Sequence, residues 1–278
     1  MVHLFHSTSE ICSKIVTQRY STSFASAIRM LHKDLRTPIF NIYGFVRFAD
    51  EIVDTFHDHD KEELLEQFKA ETYDSIKRGI SLNPVLNSFQ RTVNQYNIDL
   101  KLVDAFFRSM EMDLSKKVYD VLGYEEYIYG SAEVVGLMCL YVFCEGDKAL
   151  YEKLEPSARS LGAAFQKVNF LRDIKADYAG LSRTYFPGCD FNNFTEREKQ
   201  QIEKDIAGDF RAAFEGIKQL PLKARFGVYV AYKYYLSLFK KIKRLKPSSI
   251  LQSRIRIPDF LKAYIVFRAG VKNQLGMI

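Results

Sequence analysis

Two pairs of aspartates are the side chains of this sequence with the clearest potential for chemistry. Asp50 and Asp54 lie in the segment RFADEIVD, and Asp173 and Asp177 lie in NFLRDIKAD. A spacing of four residues places both members of a pair on one face of a helix, with Cβ atoms about 5–6 Å apart. Both segments are otherwise apolar, where unpaired carboxylates are costly. Divalent cations would offset that cost, so the pattern predicts a metal site.

The spacing alone does not distinguish these two pairs, because it occurs twice more. Asp58, four residues after Asp54, falls in the polar segment HDHDKEE, which is typical of a solvated loop. Asp205 and Asp209 lie in QQIEKDIAGDF, where Ile202, Ile206 and Phe210 predict the buried stripe. We therefore expect Asp205 and Asp209 to face water, as most acids do.

Polar lines extend the first two pairs along helices that are apolar nearly all round, which indicates buried helices. One line consists of Tyr43, Arg47, Asp50 and Asp54. The other consists of Gln166, Asn169, Asp173 and Asp177, with Arg172 beside it. A polar line on a buried helix faces either a partner line or an internal wet cavity.

Two interpretations of these lines compete. A structural network of Arg–Asp pairs between core helices is disfavoured, because burying four acids against few bases seldom repays the desolvation. The alternative is a site for Mg²⁺, or Mn²⁺, which prefers one or two carboxylates together with substrate phosphates. Arg47 and Arg172 would then bind the remaining phosphate oxygens. Such a site would ionise a diphosphate leaving group.

Five segments, in this order, resemble the successive blocks of squalene/phytoene synthases: YSTSF (20–24), RFADEIVD (47–54), YEEYIYGSAEVVG (124–136), LGAAFQKVNFLRDIKAD (161–177) and RTYFP (183–187). The resemblance covers most of the chain and implies an all-α fold around a central cavity. It also implies a head-to-head condensation of two prenyl diphosphates. The first ionises to an allylic cation, the second attacks it to give a cyclopropylcarbinyl diphosphate, and a second ionisation leads to the linear product.

The resemblance also implies roles for individual residues. The metal ligands would be Asp50, Asp54, Asn169, Asp173 and Asp177, and the four aspartates among them would be catalytic. The diphosphate contacts would be Tyr20, Ser21, Ser23, Tyr43, Arg47, Gln166, Arg172, Tyr235 and Arg254.

Three positions depart from the family pattern. Glu51 stands where many relatives carry a second Asp, but it lies off the line of Asp50 and Asp54. Tyr20 stands where some relatives have His. Glu133 stands where a glycine is common, and the sequence offers no account of it.

The expected reaction is formation of phytoene from two C20 (geranylgeranyl) diphosphates, in carotenoid biosynthesis. Squalene or dehydrosqualene synthesis from two C15 (farnesyl) diphosphates is the alternative. No GxGxxG or P-loop pattern occurs, so NADPH is not expected. A non-catalytic isoprenoid-binding homologue is disfavoured by the intact acids, and a terpene cyclase by the YSTSF and QKVNFLRD blocks.

Length and composition favour one all-α domain over residues 1–278, with 47% hydrophobic residues and a net charge of +6. Four cysteines without metal-ligand spacing, and an amino terminus unlike a signal peptide, favour the cytoplasm. The longest apolar run, VVGLMCLYVFC, is too short to span a bilayer. The basic run KKIKRLK (240–246) is interpreted as a solvated helix end, an anionic-lipid contact or a phosphate site. Peripheral membrane contact is therefore retained, nucleic acid is not expected, and the oligomeric state is not specified.

The elements that must position these residues are helices. In SEICSKIVTQRY, Ile11, Ile15 and Val16 form an apolar stripe that indicates a helix, and Pro38 is expected in the first turn of a helix reaching about Asp54. Further helices are predicted at about 61–78, 84–96, 99–118, 124–144, 147–153, 156–178, 195–218, 221–244 and 258–273.

Overall fold

The computed structural model describes residues 2–115, 118–181, 185–189, 193–251 and 255–275, without the side chains of 175–181. These residues form thirteen α-helices and no β-strand, as the sequence predicted for the fold class. The helices are α1 (Val2–Tyr20), α2 (Thr22–Arg29), α3 (Lys33–Thr55), α4 (Lys61–Arg78), α5 (Pro84–Tyr96), α6 (Leu100–Ser115), α7 (Val121–Ile128), α8 (Val134–Cys144), α9 (Lys148–Leu181), α10 (Glu196–Ile217), α11 (Leu222–Lys243), α12 (Pro247–Ile250) and α13 (Asp259–Gln274). A π-helical turn, Tyr129–Glu133, joins α7 to α8.

Local capping explains why several boundaries were predictable. The side chain of Asp60 accepts a hydrogen bond from the amide of Glu63 at the start of α4. Gly79 ends the same helix at φ 73°, a left-handed conformation that glycine adopts without steric cost. Asn83 caps α5, and Pro84 occupies its first turn.

Two prolines in helix interiors lie where the sequence predicted boundaries. Pro38 lies inside α3, which begins at Lys33, so the expectation of a first-turn position was wrong. Pro156 lies inside α9, so the two helices predicted at 147–153 and 156–178 are one helix of 34 residues. A proline removes one backbone hydrogen bond. At Pro38, burial of α3 in the core compensates for that loss.

The buried face of α1 differs from the predicted apolar stripe. Ile11 and Ile15 are exposed, whereas Ser9, Ser13 and Thr17 are buried. The hydroxyl oxygens of Ser13 and Ser88 lie 2.6 Å apart. A Cβ on Gly44 of α3 would lie 2.8 Å from the Ser13 hydroxyl oxygen. Close approach of α1 to α3 therefore selects small residues, whose hydroxyls are satisfied by hydrogen bonds.

Phe45 of α3 lies at the centre of an aromatic cluster that anchors this helix. Its ring stacks on Phe89 of α5 with centroids 3.8 Å apart. Phe68, Phe106 and Phe107 surround it with centroid distances of 5.3–5.7 Å. Such pairs add to the stabilisation from apolar burial. They hold one face of α3 rigidly, and the polar line lies on the same helix.

By length and composition alone, the helical segment Val121–Cys144 is long enough and apolar enough to cross a membrane. However, 56% of its apolar window is buried inside the protein. Val134, Leu137 and Met138 belong to the buried core. Packing of that kind is typical of a core helix, so the segment is weak support for a membrane span. At Gly162 of α9, an added Cβ would lie 2.6 Å from the carbonyl oxygen of Ala132. The π-turn and α9 are therefore in direct main-chain contact.

Candidate active site

A partly open cavity of about 280 Å³ lies between α2, α3, the π-turn, α8, α9, α10 and α11. Most of its lining is apolar. On α3 the lining series ends at Asp50, and on α9 it runs from Leu154 to Gln166 and Asn169. The two ends of the α9 series are 15 residues apart, or about 22 Å at 1.5 Å per residue. The cavity is therefore a long apolar chamber with carboxylate and amide groups at one end.

Asp50 is a carboxylate whose surroundings disfavour its charge. Its side chain is 31% exposed, and it lies in the cavity wall. Burial and then the nearby Asp54 raise the pKa of Asp50 from its ordinary value of 3.8 to about 7, against an opposing effect of Arg47. A cation bound beside this pair would favour the charged form of both acids.

Arg47 is held on three sides at the same end of α3. Its guanidinium contacts the carboxylate of Glu51 and lies 3.8 Å from that of Asp50. Its Cζ atom lies 4.5 Å from the ring centroid of Tyr20. The Nε atom is buried and has no hydrogen-bond partner among the described residues. A buried donor without a partner is costly, and a phosphate oxygen is a suitable acceptor for it.

Tyr43 stands one turn before Arg47 and connects α3 to its neighbours. Burial, then Tyr235 and Asp50, raise the pKa of Tyr43 well above its ordinary value. Its hydroxyl therefore stays protonated and can donate a hydrogen bond. Ser21 hydrogen-bonds to Tyr43 and also caps α2, accepting from the amide of Phe24 at 3.2 Å.

The second polar line lies on α9. The amide nitrogen of Asn169 donates to Oε1 of Gln166 at 3.4 Å. Nε of Arg172 donates to both carboxylate oxygens of Asp173 at 3.0 Å. From α11, the hydroxyl of Tyr235 donates to Oδ1 of Asn169 at 3.3 Å. Burial raises the pKa of Tyr235, although Arg172 and the bond to Asn169 oppose that shift.

Aromatic rings join the two polar lines, and two of these rings were not predicted as site residues. Phe24 contacts Tyr43, Phe165 and Tyr235 with centroid distances of 5.3, 6.1 and 5.7 Å. Phe165 stacks on Tyr235 at 3.9 Å. Phe24 and Phe165 both line the cavity. The only sequence signal for them was their place within the YSTSF and FQKVNFLRD segments.

The structure brings most of the predicted site residues together. Tyr43, Asp50, Gln166, Asn169 and Tyr235 line the cavity itself. Through the contacts described above, they are joined by Tyr20, Ser21, Arg47, Asp54, Arg172 and Asp173. Ser23 is half-buried in the first turn of α2, outside the cavity lining. The side chain of Asp177 and all of Arg254 lie outside the described residues. The chemical roles assigned to all these residues remain predictions.

Asp205 is exposed, as the sequence predicted, but Asp209 is not, and both acids pair with the same lysine. Nζ of Lys167 donates to Oδ2 of Asp205 at 2.6 Å and to Oδ2 of Asp209 at 2.7 Å. The Lys167 side chain is only 11% exposed, and that of Asp209 only 20%. Burial raises the pKa of Asp209 even though Lys167 opposes the shift. The sequence missed this pair because Lys167 falls on an apolar stretch of α9, where no partner is visible.

The structure also accounts for two departures from the family pattern. The Glu51 carboxylate pairs with the guanidinium of Arg47, so it does not point into the cavity lining. Glu133 pairs with Nε of Arg159 at 2.6 Å, and its side chain is 14% exposed. Each acid therefore has a partner in this chain.

Among the described side chains, no three His, Cys, Asp or Glu residues cluster closely enough to hold a metal ion by themselves. The donors that are present still fit a hard cation shared with a ligand. Asp50 is an ionisable carboxyl group with a raised pKa, and Asn169 supplies an amide oxygen across the cavity. Mg²⁺ commonly takes one or two protein oxygens and completes its shell with phosphate and water.

A family profile described as squalene/phytoene synthase matches residues 17–260. A phytoene synthase from Arthrospira platensis is 28% identical, over 91% of this chain and 89% of its own. A 4,4'-diapophytoene synthase from Staphylococcus haemolyticus is 26% identical, over 72% of this chain and 69% of its own. The crystal structure of a dehydrosqualene synthase in complex with a ligand superposes with a TM-score of 0.82. It shares 17% identity and covers 97% of this chain and 98% of its own.

Proposed function

This chain belongs to the squalene/phytoene synthase family, prenyltransferases that condense two prenyl diphosphates head to head, and we propose that it makes phytoene from two C20 diphosphates. The reaction passes through a cyclopropylcarbinyl diphosphate. The observation that carries the proposal is the shape of the cavity, a long apolar chamber with Asp50, Asn169 and Tyr43 at one end.

The polar end is suited to hold a diphosphate. In the first ionisation the carbon–oxygen bond breaks, and the diphosphate leaves with the electron pair. The Nε of Arg47, which has no hydrogen-bond partner among the described residues, and the protonated hydroxyl of Tyr43 would donate to its oxygens. Mg²⁺, when bound by Asp50, Asp54, Asn169 and Asp173, would supply further charge stabilisation. Preorganised donors of this kind lower the barrier where negative charge develops.

The apolar walls protect the allylic cation that remains. Water would quench it, so the chamber must exclude water until the second substrate's double bond attacks. Phe24 and Phe165 lie beside the polar end, where the cation forms, and their ring faces can stabilise positive charge. The attack closes a cyclopropane ring with loss of a proton. The second diphosphate then leaves with its electron pair, and rearrangement with loss of another proton gives the linear product.

The length of the chamber favours a long prenyl chain. Its α9 wall extends about 22 Å beyond the polar end, which suits a C20 chain. The similarity to a 4,4'-diapophytoene synthase supports the alternative of C15 substrates. NADPH is not part of the proposed reaction.

The test is product identification. The purified protein is incubated with Mg²⁺ and either C15 or C20 diphosphate, with and without NADPH, and the hydrocarbon is identified by mass spectrometry. We expect phytoene from the C20 substrate, independent of NADPH. A C30 product alone would establish the alternative, and no hydrocarbon from either substrate would refute the enzymatic proposal. Asp50→Ala and Asp173→Ala should lose turnover while remaining folded, whereas unfolding of both would favour the structural ion network.

A further inference from the structure

Helix α13 (Asp259–Gln274) carries large apolar side chains on its outward face. Phe260 is 75% exposed and Phe267 is 70% exposed. Their spacing of seven residues places them on one side of the helix. The same stripe contains Tyr264 and Val271 on the helix, and Leu275 directly after it. Such a contiguous exposed apolar surface indicates a contact with another apolar phase or molecule.

The opposite face of α13 already has its partner. Ile265 and Ala269 are buried, and α13 lies against α11. The outward stripe is therefore additional to the surface that folding requires. From Phe260 to Leu275 it spans about 22 Å at 1.5 Å per residue. Its length and its position on a surface helix suit a flat partner.

A cluster of cations lies beside this stripe. Lys233 and Lys240 belong to α11, and Arg268 and Lys272 to α13. Burial and then Lys240, Lys272 and Arg268 lower the pKa of Lys233 from its ordinary value, so these charges are close together. None of the four forms an ion pair within the described part of the chain. Concentrated positive charge of this kind attracts an anionic surface.

We propose that α13 is an interfacial helix that docks the protein on an anionic lipid bilayer. Phe260, Tyr264 and Phe267 enter the boundary between headgroups and acyl chains, while Arg268 and Lys272 contact lipid phosphates. Apolar insertion combined with basic residues is the usual composition of a helix that lies in a membrane surface. Each cation near an anionic leaflet strengthens binding about fivefold.

A second copy of this chain fits the stripe less well. A twofold interface places the same patch of both copies face to face. The two cation clusters would then approach each other, and like charges across an interface oppose association. An anionic bilayer satisfies both the apolar and the charged parts of the patch.

The docking face is one helix away from the cavity. Val228, Ala231 and Tyr235 of α11 line the cavity, while α13 lies on another side of α11. If the proposed function is correct, an apolar product forms one helix thickness from the membrane surface. The docking itself does not depend on that function.

The test is flotation of the full chain with vesicles of phosphatidylcholine alone, or with 30% phosphatidylglycerol. We expect binding to the anionic vesicles that weakens as salt is raised. Phe260→Ser/Phe267→Ser should reduce it at least tenfold, and Arg268→Gln/Lys272→Gln about tenfold or more. The matched controls are Leu4→Ser/Ile11→Ser, which removes two exposed apolar side chains from α1, and Lys77→Gln/Lys148→Gln, which removes two exposed cations. Both controls should bind like the unaltered chain.

Three results would overturn the proposal. One is no binding to either vesicle, and another is an equal loss in the matched controls. The third is a dimer in sedimentation that the Phe260→Ser/Phe267→Ser change dissociates, because the stripe would then be an interface between copies. Turnover with a detergent-solubilised prenyl diphosphate is measured in parallel. It should be retained in the α13 variants, so failure of docking and failure of the proposed function are distinguishable.

Discussion

The hydroxyl of Tyr235 donates to Oδ1 of Asn169 across 3.3 Å, which joins α11 to α9 at the polar end of the cavity. Tyr235→Phe keeps the ring stacked on Phe165 but removes this donor. We expect kcat/KM to fall about tenfold, because Asn169 loses the bond that orients it. Steady-state kinetics measures the effect. Tyr234→Phe is the control, since that hydroxyl pairs with Ser26 at 2.9 Å outside the cavity lining; an equal loss there would contradict the assignment.

Glu51 contacts Arg47 and not the cavity, which separates its role from that of Asp50. Glu51→Gln should raise KM for the diphosphate severalfold, because Arg47 loses the charge that holds its guanidinium. The Mg²⁺ concentration for half-maximal activity should stay unchanged. Asp50→Asn should instead shift or abolish the Mg²⁺ dependence. Titrations of activity against Mg²⁺ and against substrate separate the two, and a Mg²⁺ shift in the Glu51 variant would contradict this division.

In metal-free buffer, Asp50 should lower the free energy of unfolding at neutral and higher pH. Its folded pKa of about 7 exceeds its unfolded value near 4, so the folded state holds the proton more tightly, and stability falls as pH rises from about 4 to 7. Asp50→Asn removes this dependence. In chelator at pH 8 we expect a gain of about 2–4 kcal/mol in unfolding free energy, declining toward zero near pH 4. Urea titrations at both pH values test this, and a gain independent of pH would contradict it.

Lys167 ties α9 to α10 through Asp205 and Asp209. Lys167→Met preserves apolar volume but leaves Asp209 without its cation, so we expect a loss of about 2–4 kcal/mol in unfolding free energy. Urea denaturation measures it. Lys69→Met, at an exposed pair with Glu111, should cost under about 1 kcal/mol. If both variants lost a comparable amount of unfolding free energy, burial of the Lys167 pair would add no stability beyond that of an exposed pair.

Leu154 lines the cavity on α9, 15 residues from Asn169. Leu154→Ala should shift the preference toward longer prenyl diphosphates, because it extends the apolar chamber at the end away from Asp50. The protein should also lose about 2–5 kcal/mol of stability. Competition between substrates of two lengths measures the preference. Leu65→Ala, equally buried at 2% exposure but outside the lining, should lose stability and keep its preference.

The helices were predictable from sequence because apolar periodicity, capping residues and glycine breaks agreed at most boundaries. The site was predictable where polar residues recur on an apolar helix, as from Tyr43 to Asp54. Prediction failed where tertiary packing overrides local pattern. Ser13 is buried because α1 approaches Gly44 closely, and Pro156 is accommodated within a long helix. Lys167 finds Asp209 across 42 positions of chain, a distance that no local pattern reports.

The contact between Gly162 and the carbonyl of Ala132 limits how this protein can change. At this contact the main chains of the π-turn and α9 touch directly. No side-chain substitution can therefore change the distance between them by small steps. Variation in product length must therefore arise elsewhere on the chamber wall. In a saturation library, we expect Gly162 to tolerate almost nothing, while Leu154 accepts a graded series of sizes. The contact between the π-turn and α9 would then stay constant among relatives while other positions of the cavity wall vary.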